Sequence, residues 1–287
     1  MPDDTNFVVF ILTHGRPEGQ ATYKTLKRQG YSGPLYFVVD DEDKTLDEYK
    51  RKFGDKVIVF DKKAVSKTFD NGDNFDDRRA IIYARNACFG IAEKLGFEYF
   101  IEFDDDYTVL QFRFDDELKY VPKSIKNVND VLNSLVDFYV KAKRIDSLAF
   151  AQGGDFIGGK DSPNATNGPT LKRKCMNSFI CSTKRGFQFV GRVNEDVNTY
   201  TCEASKGLLM LTATHITLVQ KQTQSNKGGM TEMYLDNGTY VKSFYSVMYQ
   251  PSSVVVSVMN SEHSRLHHKV DWGATVPMIL SENHKKY

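Results

Sequence analysis

Tyr99-Phe100-Ile101-Glu102-Phe103-Asp104-Asp105-Asp106 is an apolar run that stops abruptly in three carboxylates. Side chains alternate along a strand, so Asp104 and Asp106 point to one side and Asp105 to the other. Two hard oxygen ligands at i and i+2, at the carboxyl end of a buried strand, suit a Mg²⁺ or Mn²⁺ that carries a diphosphate. An acidic turn after an ordinary strand accounts for the same residues, because Asp is a common turn former. The segments on either side shift that balance.

Upstream, Phe7-Val-Val-Phe-Ile-Leu-Thr13 is continuously apolar, the pattern of a strand covered on both faces, and it ends in the polar turn Thr13-His14-Gly15-Arg16-Pro17. A helical stretch to about Gln29 follows, then a strand from Leu35 to Val39 that runs into Asp40-Asp41-Glu42-Asp43. A helix near Leu46 to Phe53, a strand from Lys56 to Phe60 and an amphipathic helix from Ala80 to Leu95 lead back to the Asp-terminated strand. This alternation predicts an α/β fold with a mainly parallel, doubly wound sheet. Ligands of such sheets bind beyond the carboxyl ends of the strands. The Thr13 turn, Asp40 and Asp104 to Asp106 all fall there.

Downstream, a helix from Val128 to Lys143 leads into a strand, Ser147 to Ala151, and then a long Gly-, Asn- and Pro-rich loop from Gln152 to Cys175. Short β segments are expected at Phe179 to Ser182 and Phe187 to Val190. Asn194-Glu195-Asp196-Val197 precedes a helix near Asn198 to Lys206 and a strand-like Leu208 to Thr217. A polar loop from Gln220 to Gly229, a Tyr/Phe-rich helix around Leu235 to Tyr249, a strand at Ser253 to Ser257 and a His-rich tail complete the chain. No internal repeat is visible. The expectation is one domain over 1–287, with a nucleotide-binding half at 1–125 and a smaller mixed acceptor-side β region within 126–287.

Composition sets the outer limits. A chain of 287 residues with 40% hydrophobic and 26% charged content can bury a full core. No apolar stretch approaches the roughly 20 residues of a membrane span, and the start is not that of a signal peptide, so the expected location is cytoplasmic. Cys88, Cys175, Cys181 and Cys202 form no CxxC pair and read as reduced thiols. The net charge is +1, yet Lys141 to Arg192 holds ten basic residues against three acidic ones. A basic middle on a neutral protein suits either a polyanionic partner or a solvated surface.

Four constellations fit a single reaction. Thr13 and Arg16 on the first turn, with Asp40 at the end of the second strand, could hold a base and ribose, although Asp40 could equally cap a helix. Asp104 and Asp106 need a third ligand to close a metal shell, and His267 or His268 is the candidate. Arg85, on the helix that feeds the Asp strand, could neutralise a diphosphate. Glu195 and Asp196 open a helix, where one could serve as general base for an attacking hydroxyl or simply answer the helix dipole.

Ile11-Leu-Thr-His-Gly-Arg-Pro17, Tyr83-Ala-Arg-Asn86, Phe103-Asp-Asp-Asp106, Gly191-Arg-Val-Asn-Glu-Asp-Val197 and His267-His268-Lys-Val-Asp-Trp272 resemble the TET/JBP-associated glycosyltransferases. These are GT-A enzymes of phages and protists that glycosylate hydroxymethylated pyrimidines in DNA. The resemblance implies a UDP-sugar donor, Mn²⁺ or Mg²⁺, and DNA containing a hydroxymethylated pyrimidine such as 5-hydroxymethylcytosine as acceptor. It gives Asp104 to ribose and metal and Asp106 to metal and diphosphate; Asp105, its side chain opposed to its neighbours, could touch the donor sugar. Asp196 becomes the base with Glu195 beside it, and His267 or His268 closes the metal shell. A base opposite the leaving group implies in-line attack with inversion. Lys172, Arg173, Lys174, Lys184 and Arg185 are the expected phosphate contacts, with Phe156, Tyr245 and Tyr249 lining a base pocket. Two alternatives stand beside this reading. One is a GT-A enzyme acting on a soluble glycan, protein or small molecule; the other is an inactive DNA-binding relative.

Overall fold

Phe7–Leu12 (β1) is buried at every position, and its alternate side chains enter two different cores. Phe7, Val9 and Ile11 join one cluster, while Val8, Phe10 and Leu12 join the other. Both faces of the strand are therefore covered, as its unbroken apolar sequence requires. The computed structural model describes residues 6–73, 75–117, 119–156, 159–162, 173, 175–220, 241–259 and 264–275.

The first half alternates as expected. After β1 come α1 (Ala21–Arg28), β2 (Leu35–Asp40), α2 (Leu46–Phe53), β3 (Val57–Phe60), the short α3 (Lys62–Val65), α4 (Ile82–Lys94) and β4 (Tyr99–Asp104). The strands stand side by side as β3-β2-β1-β4, all parallel, with Leu12 opposite Asp104 in register. The chain thus leaves β1 toward β2 on one side and returns to β4 on the other. That reversal opens a crevice above the carboxyl ends of β1 and β4.

Beyond β4 the sheet becomes mixed. The chain adds β5 (Tyr107–Phe114), β6 (Tyr120–Ser124), α5 (Val128–Lys141), β7 (Ser147–Gln152), β8 (Ser178–Ser182), α6 (Glu195–Ser205) and β9 (Met210–Gln220). The order continues β4-β8-β7-β9-β5-β6, and among the described strands of this sheet only β8 and β5 run against the rest. Helical residues 241–249 (α7) and an antiparallel ribbon of β10 (Val254–Met259) and β11 (Arg265–Val270) complete the description.

Two departures from the sequence reading have clear physical causes. β5 and β6 are strands that the sequence reading did not place: the acidic turn at Asp105 and Asp106 leads directly into β5. Thr22 of α1 clasps that turn, its hydroxyl bonding the Asp104 carbonyl at 2.5 Å and accepting from the Tyr107 amide at 2.9 Å. Phe187 to Val190 lies in no strand. Its pairing is supplied instead by the Asn86 side chain, which donates to the Phe189 carbonyl and accepts from the Phe189 amide, both at 3.0 Å.

Candidate active site

α4 buries one side, as its amphipathic pattern predicts: Ile82, Tyr83, Ala84, Arg85, Ala87, Cys88, Ile91 and Ala92 are inside, while Gly90, Glu93 and Lys94 are exposed. Arg85 is therefore an interior residue, with 0% of its side chain exposed. Its Nη2 lies 3.0 Å from Asp104 Oδ1, its Nε 3.2 Å from Glu195 Oε1 and its Nη1 3.4 Å from Glu102 Oε2. Its guanidinium also covers the Phe179 ring at 4.9 Å. A planar fork with several donors can span three acceptors in this way, and an ammonium cannot.

The charges in this cluster do not balance. Burial works against the Arg85 charge, but Asp104, Glu195 and Glu102 outweigh it and raise its pKa, so the guanidinium stays ionised. Burial pushes Asp104 up to about 8; Arg85 opposes the shift, while Asp106, Glu195 and Asp105 add to it. Glu102 is likewise pushed up to about 8 by burial against the pull of Arg85. Burial also raises Glu195, with Asp196 adding repulsion. More carboxylates crowd this point than one guanidinium can keep ionised, a deficit of positive charge that a divalent cation relieves.

Asp105 does face away from its neighbours, as strand alternation requires, but it faces inward. Its carboxylate accepts from the Thr13 hydroxyl at 2.6 Å and from Arg16 Nη1 at 3.0 Å. The Thr13 hydroxyl also meets Tyr49 OH at 2.7 Å and Gln20 Nε2 at 2.8 Å, and the Arg16 amide donates to Tyr49 OH. Burial raises Asp105 to about 6, with Arg16 and Thr13 holding it down. Thr13, Arg16 and Asp105, expected to line the donor, thus spend these polar groups on one another. They lock the first turn onto the acidic turn.

Asp40 sits at the carboxyl end of β2, as expected, and is only 4% exposed. His14 Nδ1 lies 2.7 Å from its Oδ2, and Lys62 Nζ donates to its Oδ1 at 3.2 Å. Burial alone would raise its pKa, but the His14 hydrogen bond and the Lys62 charge outweigh it and leave the carboxyl below its usual range.

Glu195 and Asp196 begin α6, and the turn before them is tightly specified. Asn194 adopts a left-handed backbone, φ 57°. Its side-chain Nδ2 donates to the Lys242 carbonyl at 2.7 Å and stands 3.3 Å from His268 Nδ1. The Gly191 and Arg192 amides donate to the Asp70 and Asn71 carbonyls, and Arg192 reaches Asp73 at 2.5 Å and Asp77 at 3.2 Å. Tyr245 OH also bonds Asp73, and Tyr249 OH bonds the Asp70 carbonyl at 3.1 Å. These two tyrosines brace the turn that precedes Glu195 and Asp196. Glu195 is buried on Arg85, whereas Asp196 is half-buried and accepts from the Val197 amide at 2.9 Å.

Not every expected residue joins the cluster. Asp106 follows Asp104 on the turn and accepts from Gln220 Nε2 at 3.1 Å. His267 and His268 lie on β11 with rings 4.2 Å apart, and His268 is buried beside Asn194. Among the described residues no three or more His, Cys, Asp and Glu side chains gather as a metal shell.

Lys184 and Arg185 follow β8, which runs antiparallel to β4, and therefore lie at the opposite edge of the sheet from Asp104. Lys184 pairs with Glu98 at 2.8 Å. Arg185 donates to the Tyr139, Val140, Ala142 and Ile145 carbonyls and so caps the end of α5. Six residues of β4 separate that edge from the acidic turn, about 17 Å. Both expected phosphate contacts therefore stand away from the acidic turn, each with a protein partner of its own. Arg173 is paired with Asp155, and Lys172 and Lys174 lie outside the described residues. Phe156 packs under Arg113 at 4.6 Å.

The sequence reading missed Tyr49, Lys62 and Glu102. Glu102 carried a usable signal: it is the one charge within the apolar run of β4, on the same parity as Asp104. Tyr49 and Lys62 sit on short helices with no local pattern to mark them.

The family model described as TET-associated glycosyltransferase matches residues 7–229. No curated protein matches the sequence. Among solved structures, a mannosyltransferase from Pyrobaculum calidifontis in complex with GDP-Man and Mn²⁺ is similar at 12% identity and a TM-score of 0.45, covering 88% of this chain and 75% of its own. Glucosyl-3-phosphoglycerate synthase from Mycobacterium tuberculosis, in complex with Mn²⁺, UDP and phosphoglyceric acid, is similar at 9% identity and a TM-score of 0.45, covering 96% and 90%.

Proposed function

Because the chain belongs to the TET-associated glycosyltransferase family, we propose that it moves a sugar from a UDP-sugar to the hydroxymethyl group of a modified pyrimidine in DNA, 5-hydroxymethylcytosine, with the help of Mn²⁺ or Mg²⁺. The observation that carries this reading is the Arg85 cluster, which holds Asp104 and Glu195 on one buried guanidinium.

Asp104 and Asp106 would hold the cation. Magnesium-type sites commonly take one or two protein carboxylates and fill the remaining positions from substrate phosphates and water, so two aspartates suffice as the protein's share. When bound, the cation supplies charge stabilisation for the departing diphosphate. Arg85 keeps Asp104 facing that position and holds Glu195 still. Asp196, half-buried at the start of α6, accepts the proton from the acceptor hydroxyl as that oxygen attacks the sugar C1. A base on the acceptor side, opposite the diphosphate, gives inversion. Thr13, Arg16 and Asp105 act one layer out by fixing the turn that carries Asp104 and Asp106.

The DNA acceptor draws its support from the family and not from Lys184 and Arg185, which face the other edge of the sheet. The test is incubation with a panel of nucleotide sugars and 5-hydroxymethylcytosine-containing DNA, followed by mass spectrometry of the released nucleosides. A hexose or pentose mass added to the modified nucleoside supports the proposal, and Asp106→Ala should abolish it. Donor consumption with unmodified DNA product would move the acceptor to a glycan, protein or small molecule. No consumption of any donor would favour an inactive DNA-binding relative.

A further inference from the structure

His14 stands at the carboxyl end of β1 and has no part in the chemistry above. Its Nδ1 is 2.7 Å from Asp40 Oδ2 and 3.7 Å from Asp43 Oδ2. Both carboxylates are buried and otherwise occupied. Asp40 Oδ1 accepts from Lys62, Asp43 Oδ2 accepts from the Gly15 amide at 2.7 Å, and Asp43 Oδ1 accepts from the Thr45 amide and hydroxyl. Asp40 therefore has little left to offer a ligand. The His14 side chain, in contrast, is 44% exposed.

In the neutral ring, a carboxylate against Nδ1 fixes the proton there and leaves the lone pair on Nε2. Since Nδ1 is turned toward the buried aspartate, the exposed edge of the ring is the one that carries Nε2. β4, β1 and β2 are consecutive strands, so the ends bearing Asp104 and Asp40 are two strand spacings apart, about 10 Å. A diphosphate held at Asp104 and Asp106 would thus place its nucleoside over the ends of β1 and β2, beside His14.

We propose that His14 reads the nucleobase of the donor by accepting an imide N–H on Nε2, and that Asp40 is its positioning residue instead of the reader itself. This rests on the nucleotide-sugar reading above. Uracil offers such a donor at N3–H. Cytosine presents a lone pair at the same position, which would face the Nε2 lone pair and be rejected. His14 therefore selects uridine over cytidine donors.

The test is calorimetric titration of UDP and CDP, in Mn²⁺-containing buffer, into the native protein and the His14→Ala, His14→Gln and Asp40→Asn variants, with melting temperature as a folding control. The native protein should prefer UDP by roughly tenfold, the size of one hydrogen bond exchanged for a clash of acceptors. His14→Ala should bring the two affinities within about threefold of each other, and His14→Gln, which retains an acceptor, should recover part of the preference. Asp40→Asn is the sharper arm. Lys62 will draw the amide oxygen toward itself, turning the NH₂ toward His14 Nδ1. The ring proton then moves to Nε2, and the preference should reverse toward CDP. A folded His14→Ala variant that binds UDP with native affinity and native discrimination would overturn the proposal while leaving the nucleotide site standing. A native protein that binds neither nucleotide would overturn both.

Discussion

Arg85 and Glu195, 110 residues apart in the chain, meet at 3.2 Å in the interior, and the same guanidinium holds Asp104 at 3.0 Å. One side chain thus fixes the distance between the strand that ends in carboxylates and the helix that begins with them. Arg85→Lys keeps the charge but can answer only part of the cluster. It should fold and lose at least ~100-fold in turnover through misplacement of Asp104 and Glu195. Arg85→Ala leaves the carboxylates buried without a partner and should cost about 3–5 kcal/mol. Melting curves and donor turnover on both variants check this.

Glu102 makes a pH prediction. Its pKa is about 8 in the folded protein, raised by burial from the ordinary carboxylate value. Between those two values the unfolded chain has lost a proton that the folded one keeps. Its contribution to stability is therefore full at pH 4.5 and below, and falls as pH rises through about 8. Glu102→Gln retains the shape and an acceptor for Arg85 but cannot ionise. In metal-free buffer it should melt several degrees above the native protein at pH 8 and close to it at pH 4.5. An unchanged difference across that range would contradict the burial argument.

Gly191 and Gly186 offer a contrast within a few residues of each other. A Cβ on Gly191 would lie 2.3 Å from Asn198 Nδ2 and 2.6 Å from the Tyr249 ring, on a backbone with φ of 75°. A Cβ on Gly186 would meet nothing within 4 Å. Gly191→Ala should destabilise by about 2–4 kcal/mol and displace the Glu195–Asp196 turn. Gly186→Ala should be within ~0.5 kcal/mol of native. Chemical denaturation of the pair decides it.

Lys184 and Arg185 are predicted to be silent in DNA binding. Lys184→Glu should leave both affinity and its salt dependence unchanged, since the residue lies at the far edge of the sheet. Arg185→Ala should instead cost stability, about 1–3 kcal/mol, because the last carbonyls of α5 lose their donor. A drop in the salt slope with Lys184→Glu, measured by fluorescence anisotropy, would return DNA to that edge.

Much of this was legible before the structure. The parity of Tyr99 to Asp106, the uninterrupted apolar strands and the polar ends of β1, β2 and β4 were enough to anticipate the parallel half of the sheet and the meeting of those polar ends. The helix start at Glu195 emerged one turn earlier than the apolar pattern suggested, because Asn194 turns left-handed and lets the carboxylates open the helix. What stayed hidden depends on depth and on which edge of the sheet a residue occupies. Local spacing made Arg85 a helix residue near the Asp strand, but not one sealed between three carboxylates. A count of basic residues gathered Lys184 and Arg185 with Arg173, although the antiparallel β8 carries the first two to the other end of the sheet. Asp105 and Asp40 were assigned to a ligand because both are acidic and near the cleft. Their partners, Thr13, Arg16, His14 and Lys62, come from other elements and leave no trace in the flanking sequence.

The most direct test is a crystal grown or soaked with MnCl₂ and UDP, examined at the manganese absorption edge. A single anomalous peak bound by Asp104, Asp106 and the diphosphate oxygens, with the nucleoside over the ends of β1 and β2, is the expected result. A manganese ion away from those two aspartates, or nucleotide bound with no ion beside it, would contradict it.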